Sequence, residues 1–411
     1  MNLRQAEGYL LDLELFGMRF GLDRMHKLMT VMGIPQRRFA SIHVVGTNGK
    51  SSTVRMIAAI LERHGITTGS YTSPHLVSFT ERVEVGERPV SGPEFAAAVA
   101  HAAHAAELVN RTQPEGERVT QFEALTAAAY HELARRGVEV AVIEAGLGGR
   151  YDATNVIPSK VQVLTNVGLE HTRWLGPTIA DIAGEKLDVV RNHATLVTGD
   201  LHPDAQAAAE RTAAERHSRL ARAPAIYDGP LAVRGIFQRR NFALARAAAE
   251  CFLGELDEDA VRRAAAEVRV PGRMQQIADR PLTIVDGAHN PSGAAAVAEA
   301  LPELVGKRSL VGVFAVLDDK DAASMLEWLL PSCDHAVFTR SANPRSLPPG
   351  TLESLAQKLG GPPSETVGDP RAALERARGL AGLGGAVLAA GSIYLVADLV
   401  RVQAAARAST L

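Results

Sequence analysis

Short apolar runs alternate along the chain with longer stretches in which apolar residues recur every three or four positions. Ile42–Val45 reads as a strand. Val54, Ile57, Ala58 and Leu61 then fall at helical spacing, and Gly65 suits the helix end. Val138–Ile143 is a second strand, preceded by the helix-like FEALTAAAYHELARRG, and Val161–Thr165 is a third. Such alternation predicts a largely parallel sheet covered by helices on both faces. The Ala-rich AAAVAHAAHAAEL reads as an ordinary helix.

The pattern then changes. From His202 to Glu250 the chain is Ala- and Arg-rich and reads as helical. Pro271-Gly272 is a break, after which two strand-like runs follow and the alternation resumes in SLVGVFAVL, HAVFT and GAVLAAG. A boundary near Val270 divides the chain into a first domain, 1–269, and a second, 270–411, of about 140 residues, an ordinary domain size. There is no fixed-period repeat.

Composition narrows the class. With 411 residues, two domains are expected, and the formal charge of -2 argues against a dedicated nucleic-acid binder. The two cysteines, Cys251 and Cys333, lie far apart and suggest neither a disulfide framework nor a zinc cluster. The N-terminus, MNLRQAEGYLLDLELFG, mixes acidic with apolar residues and does not read as a signal peptide, and no run of about 18 apolar residues marks a membrane span. A cytoplasmic protein without a membrane or nucleic-acid partner is expected.

The segment VVGTNGKSSTVRMIAAILERHG carries the first candidate chemistry. Strand, tight loop (Gly46, Thr47, Asn48, Gly49) and helix start (Lys50, Ser51, Ser52, Thr53) follow one another. Free N–H groups at a helix start bind anions, Lys50 offers a charge for outer phosphates, and a hydroxyl of Ser51 or Ser52 can reach magnesium. A standard phosphate loop has Gly where this chain has Val44. Two further strand ends carry polar residues: Glu144 closes VAVIE, and His171 follows VQVLTNVGLE. Open α/β sheets bind ligands at that edge, and Glu144 is a hard oxygen donor suited to Mg²⁺. Read singly, each is as well explained as a structural polar group, and Lys186 in AGEKLDVVR reads as a solvated helix lysine.

Taken in order, GTNGKSST, SYTSPHLVSFTERVEV, FEALTAAA, IEAGLGGRYDATN, LEHTRWLG, PGRM and VDGAHNP resemble folylpolyglutamate synthase / dihydrofolate synthase, a branch of the Mur ligase superfamily. The resemblance runs from LELFGMRFGLDRM to GSIYLV. It implies ATP-dependent amide formation: a carboxylate is phosphorylated, and the amine of glutamate attacks the acyl phosphate. The family loop is the shorter GTNGK form, which accounts for Val44. The family commonly has Gly after the Lys, where this chain has Ser51, and Ser52 then matches its hydroxyl position.

The same resemblance implies a site. Ser73, Glu144 and His171 would hold magnesium together with Ser52, and Lys186 matches a carbamylated lysine that serves a second ion. Thr47, Asn48, Gly49, Lys50, Ser51 and Ser52 would grip the ATP phosphates, with Asn241 at the adenine and Arg273 and Asp286 contributed by the second domain. His289, with Asn290 in the same motif, would lie near the transferred phosphate and the incoming glutamate. Lys50, Glu144, His171, Lys186 and His289 form the implied catalytic set. Thr120, Phe122 and Asp152 match pterin-binding positions, and Ser392 a glutamate contact. The expected fold is α/β, an N-terminal P-loop domain with a mostly parallel sheet plus a smaller C-terminal Rossmann-like domain. The expected protein is a monomeric ligase using ATP, Mg²⁺ (one or two ions), L-glutamate, and dihydropteroate or a reduced folate. Alternatives are a folylpolyglutamate synthase without the dihydrofolate synthase activity, a cell-wall Mur ligase, which TSPHL disfavours, and a non-catalytic nucleotide-binding protein on the same scaffold.

Overall fold

The computed structural model describes residues 1–13, 21–114 and 116–401. Part of LELFGMRFGLDRM, residues 14–20, lies outside them. The larger sheet contains β1 (Ala40–Val45), β2 (Thr68–Tyr71), β3 (Val83–Val85), β4 (Arg88–Pro89), β5 (Val140–Glu144), β6 (Val161–Leu164), β7 (Thr195–Thr198) and β8 (Arg219–Arg222). Their order is β4-β3-β2-β5-β1-β6-β7-β8. Only the β2–β3 and β3–β4 pairings are antiparallel. The smaller sheet contains β9 (Gln275–Asp279), β10 (Leu282–Val285), β11 (Leu310–Phe314), β12 (His335–Phe338), β13 (Ser364–Thr366) and β14 (Ala386–Ala390), ordered β13-β12-β11-β14-β10-β9. Here β9 alone runs antiparallel. The protein is therefore a two-domain α/β molecule with a mostly parallel sheet in each part.

The central strands are buried along their whole length, as parallel strands covered on both faces must be. One face of the larger sheet packs on helices Gly92–Asn110 and Gln121–Arg135, through residues such as Phe95, Leu125 and Tyr130. The other packs on helix Lys50–Arg63, which in turn packs on Ile236–Leu253 and Glu258–Glu267. Among the described residues, no helix is long and apolar enough to cross a membrane.

Two readings of the pattern need correction. The second strand begins at Val140, not Val138, and runs through Glu144, which pairs in register with Val44. The segment His202–Glu250 is not continuously helical. Helix Pro203–Glu215 gives way to β8 and then a loop, before helix Ile236–Leu253. RLAR is a four-residue edge strand, exposed or half-buried throughout, so it lacks the apolar alternation that marks a strand.

Candidate active site

The carboxyl ends of β1, β5 and β6 adjoin, because β1 pairs with both others. The loop after β1 fills this edge. Gly46 has φ 149°, and a Cβ there would stand 1.9 Å from the Thr165 hydroxyl oxygen. Gly49 has φ 79° and caps helix Lys50–Arg63, and its Cβ would meet Asn241 Oδ1 at 2.5 Å. Side chains would force the loop out of both positions. Asn48 ties the loop to β6, its carbonyl accepting from Thr165 Oγ1 at 2.6 Å and from Asn166 Nδ2 at 3.1 Å. The Thr47 hydroxyl accepts from the Gly168 amide at 3.0 Å.

Two amines converge on this loop. Lys50 Nζ donates to the carbonyls of Gly46 and Thr47 at 3.0 and 3.1 Å, and Lys186 Nζ to that of Gly46 at 3.0 Å. Lys186 is not the solvated lysine its local sequence suggests, being 4 % exposed. Burial, aided by the charge of Lys50, pulls its ammonium down to about 7.

Glu144 is 1 % exposed at the end of β5. Its Oε1 accepts from the Ser51 hydroxyl at 2.9 Å and its Oε2 from the Ser73 amide at 3.1 Å. Burial raises its pKa; Lys50 and these two hydrogen bonds oppose the rise. Of the two loop serines, Ser51 is the one that reaches Glu144, while Ser52 is 2 % exposed. His171 sits beyond β6 with φ 53° at the start of a short helical turn. Its side chain is 39 % exposed, so the crowding around the ring desolvates it only in part; this holds its pKa below the ordinary value, against the pull of Glu170, and the ring is neutral near pH 7.

The second domain meets this edge. Asn48 and Asn290 exchange reciprocal amide hydrogen bonds at 3.2 and 3.0 Å, and Asn48 also donates to Ser292 Oγ at 2.8 Å. Asp286, at the end of β10, accepts from the Met274 and Ala288 amides at 2.8 and 2.7 Å. Arg273 lies over Gly287, where a Cβ would stand 2.9 Å from its Nη1. Sequence reasoning missed Glu170 and Lys320. Glu170 Oε1 lies 3.3 Å from His289 Nε2 and 3.4 Å from Lys320 Nζ, so one carboxylate of the first domain faces two nitrogens of the second. Burial would raise its pKa, but His289 and Lys320 hold it well below the usual carboxylate range. LEHTRWLG contained this signal, since Glu170 precedes His171 at the same strand end.

Other expected contacts are locally engaged. Thr120 caps helix Gln121–Arg135 in a reciprocal box with Glu123. Phe122 is half-buried, 6.2 Å from Tyr71 between ring centroids. Asp152 is buried, accepting from the Leu147 amide at 2.8 Å and from the Thr154 amide and hydroxyl. A Cβ on Gly146 would meet both Phe122 and Asp152, so these two line one small space. Ser392 caps helix Ile393–Val400, and Asn241 bonds Gln238.

The donor set suits a hard cation that also binds a nucleotide. It offers the buried carboxylate of Glu144 beside the Ser51 hydroxyl, both hard oxygen donors, whereas the imidazole of His171 is a softer donor that suits magnesium less. Among the described residues, no three His, Cys, Asp or Glu side chains converge to hold an ion by themselves. Hydroxyls and phosphate oxygens would have to complete the shell.

A phosphate loop facing a second α/β domain across such an edge is the arrangement of a Mur-type ligase. Residues 44–218 match the Mur ligase middle domain, and 272–393 the Mur ligase glutamate ligase domain. The chain belongs to the dihydrofolate synthase/folylpolyglutamate synthase family. It is 36 % identical to the Mycobacterium tuberculosis dihydrofolate synthase/folylpolyglutamate synthase over 82 % of this chain and 77 % of that one. It is 34 % identical, over 97 % of its length, to a Haloferax volcanii probable bifunctional folylpolyglutamate synthase/dihydropteroate synthase, of which it spans half. The structure of Mycobacterium tuberculosis folylpolyglutamate synthase complexed with ADP superposes with TM-score 0.90 at 33 % identity, covering 96 % of each chain.

Proposed function

We propose that the protein is an ATP-dependent amide ligase that adds L-glutamate to dihydropteroate and to reduced folates through an acyl phosphate. The observation that carries this reading is Glu144. Its buried carboxylate is hydrogen-bonded both to the phosphate loop and to the loop after β2, at the edge where His289 and Asn290 arrive from the second domain. Family membership supplies the substrate class.

The chemistry joins two anions, so the site must hold them close and exclude water. Amides at the start of helix Lys50–Arg63 take the ATP phosphates, with Lys50 leaving its loop carbonyls for them. An oxygen of the folate carboxylate attacks the γ-phosphorus, and the bond from phosphorus to ADP breaks. The glutamate nitrogen then attacks the acyl carbon, a C–N bond forms, the bond to phosphate oxygen breaks, and the amine loses a proton. Ser73, Glu144 and His171, with a hydroxyl of the loop, would hold magnesium, which neutralises charge between the reacting anions. Lys186, with part of its amine neutral near pH 7, can add to carbon dioxide and lose a proton, and the resulting carbamate would be an anionic ligand for a second ion. Closure of residues 270–411 over 1–269, with Arg273 and His289 moving in, would keep water from the acyl phosphate. A cytoplasmic monomer goes with this reading, on the resemblance of the sequence to that family.

A narrower reading, extension of polyglutamate chains alone, draws on Asp152, both of whose oxygens already accept hydrogen bonds within its own loop. One assay separates the two. Phosphate release from ATP is expected only with L-glutamate plus either dihydropteroate or a reduced monoglutamyl folate. Activity with the second acceptor alone selects the narrower reading, and no stimulation by either removes the folate assignment.

A further inference from the structure

We propose that His43 is a positioning residue for the folate acceptor: through the Thr154 hydroxyl it holds the Asp152 carboxylate turned towards the pterin. The inference rests on the reading of Asp152 as a pterin contact. His43 is fully buried within β1, shortly before Gly46 opens the phosphate loop. Its Nε2 lies 2.8 Å from Thr154 Oγ1. The Thr154 hydroxyl also meets Asp152 Oδ1, and the Thr154 amide donates to the same oxygen at 3.0 Å. Tyr130, buried on helix Gln121–Arg135, donates its hydroxyl to the Thr154 carbonyl at 2.9 Å, so Thr154 is held from a second side.

The direction of the relay follows from counting protons. A hydroxyl has one proton and an ionised carboxylate only accepts, so Thr154 gives its proton to Asp152 and accepts from His43. His43 must then carry its own proton on Nε2. Among the described residues its Nδ1 has no hydrogen-bond partner, and this tautomer leaves a bare lone pair there instead of a stranded N–H. Burial, aided by the charge of Arg191, pulls the ring's pKa down to about 3, so the ring is a neutral donor at ordinary pH. At the other end, burial raises the pKa of Asp152, and the Thr154 hydroxyl opposes the rise more than any other group. Oδ1 is thereby pinned. Oδ2, which accepts from the Leu147 amide at 2.8 Å, faces the space shared with Phe122, since a Cβ on Gly146 would stand 3.1 Å from it and 2.6 Å from the Phe122 ring. A carboxylate has about four acceptor sites, which leaves room on Oδ2 for a pterin N–H.

The test is calorimetric binding of dihydropteroate to the full-length protein saturated with ADP, together with ¹⁵N spectra of histidine-labelled protein. His43→Leu and Thr154→Val remove the relay and are expected to weaken dihydropteroate binding on the order of ten-fold, while His43→Gln, whose amide can still donate to Thr154, stays within about three-fold of the parent. ADP binding should be the same in every variant. Asp152→Asn should itself weaken dihydropteroate binding, and adding His43→Leu to it should cost less than about two-fold more, because the relay acts only through that carboxylate. The histidine signal lost in His43→Gln should show the shift pattern of an Nε2–H tautomer. An Nδ1–H tautomer overturns the proposal, as does an equal loss from His43→Leu with and without the Asp152 carboxylate. Where His43→Leu fails to fold, Thr154→Val and the tautomer decide. If the parent binds no dihydropteroate, or Asp152→Asn binds it as the parent does, the pterin reading of Asp152 falls and this inference falls with it; ordinary parent binding with unaffected His43 and Thr154 variants removes this inference alone.

Discussion

Lys186 shows how far a residue's environment can depart from its local sequence. Read in AGEKLDVVR it is one more helix lysine, yet helix Ile179–Leu187 buries Ile182, Ala183, Lys186 and Leu187 as one stripe. Its place three and four positions after two apolar residues was a legible signal; that the stripe faces Gly46 was not, because only the tertiary fold brings the loop over it. An amine held at about 7 instead of 10.5 is part neutral at physiological pH, and only the neutral form adds to carbon dioxide. With ¹³C-bicarbonate, a carbamate resonance is therefore expected to grow between pH 6 and pH 8, as the ammonium gives up its proton near 7, and to be missing in Lys186→Gln. A parent spectrum without that resonance across the range would remove carbamylation. The linkage has the matching sign. A lysine whose pKa is lowered on folding binds fewer protons in the folded state between about 7 and 10.5, so its stability cost is fully present below pH 7 and fades as pH rises towards 10.5.

At the scale of elements, the strand–loop–helix unit from Ala40 to Arg63 was readable almost to the residue, because apolar spacing and Gly placement agree there. Readability failed where either signal was missing. β8 lacks apolar alternation, and the start of β5 is set by its pairing with β1 and β2 instead of by Val138. Thr120 illustrates a different gap. Family resemblance points to a substrate, while its hydroxyl closes a helix cap whose partner Glu123 is in turn bridged to buried Arg24 at 3.2 Å. The loop unit itself yields a sharp expectation. Gly46→Ala places a methyl group within bonding range of the Thr165 hydroxyl at a backbone angle that L-residues avoid. It should cost more than about 2 kcal/mol of stability in urea unfolding and abolish ADP binding. Wild-type values for both would show that this loop geometry does not hold the nucleotide.

Across the whole molecule, the site exists only where the two domains meet, and no local pattern encodes that meeting. The resemblance named His289 and Asn290. That they pair with Glu170 and with Asn48 of the phosphate loop emerged from the three-dimensional arrangement, because residues far apart in the chain converge on one edge. Glu170→Gln keeps the shape of the side chain and removes the charge that faces His289 and Lys320. Turnover should fall on the order of ten-fold with ADP affinity unchanged, since the phosphate loop belongs to the first domain. Unchanged turnover would show that this contact does not support catalysis. The most direct test of the central claim follows one oxygen atom. With a reduced folate whose reacting carboxylate carries ¹⁸O at both oxygens, ATP and L-glutamate, mass spectrometry should find one ¹⁸O in each phosphate released and a folate product longer by one glutamate. Product formed with unlabelled phosphate would contradict the acyl-phosphate route.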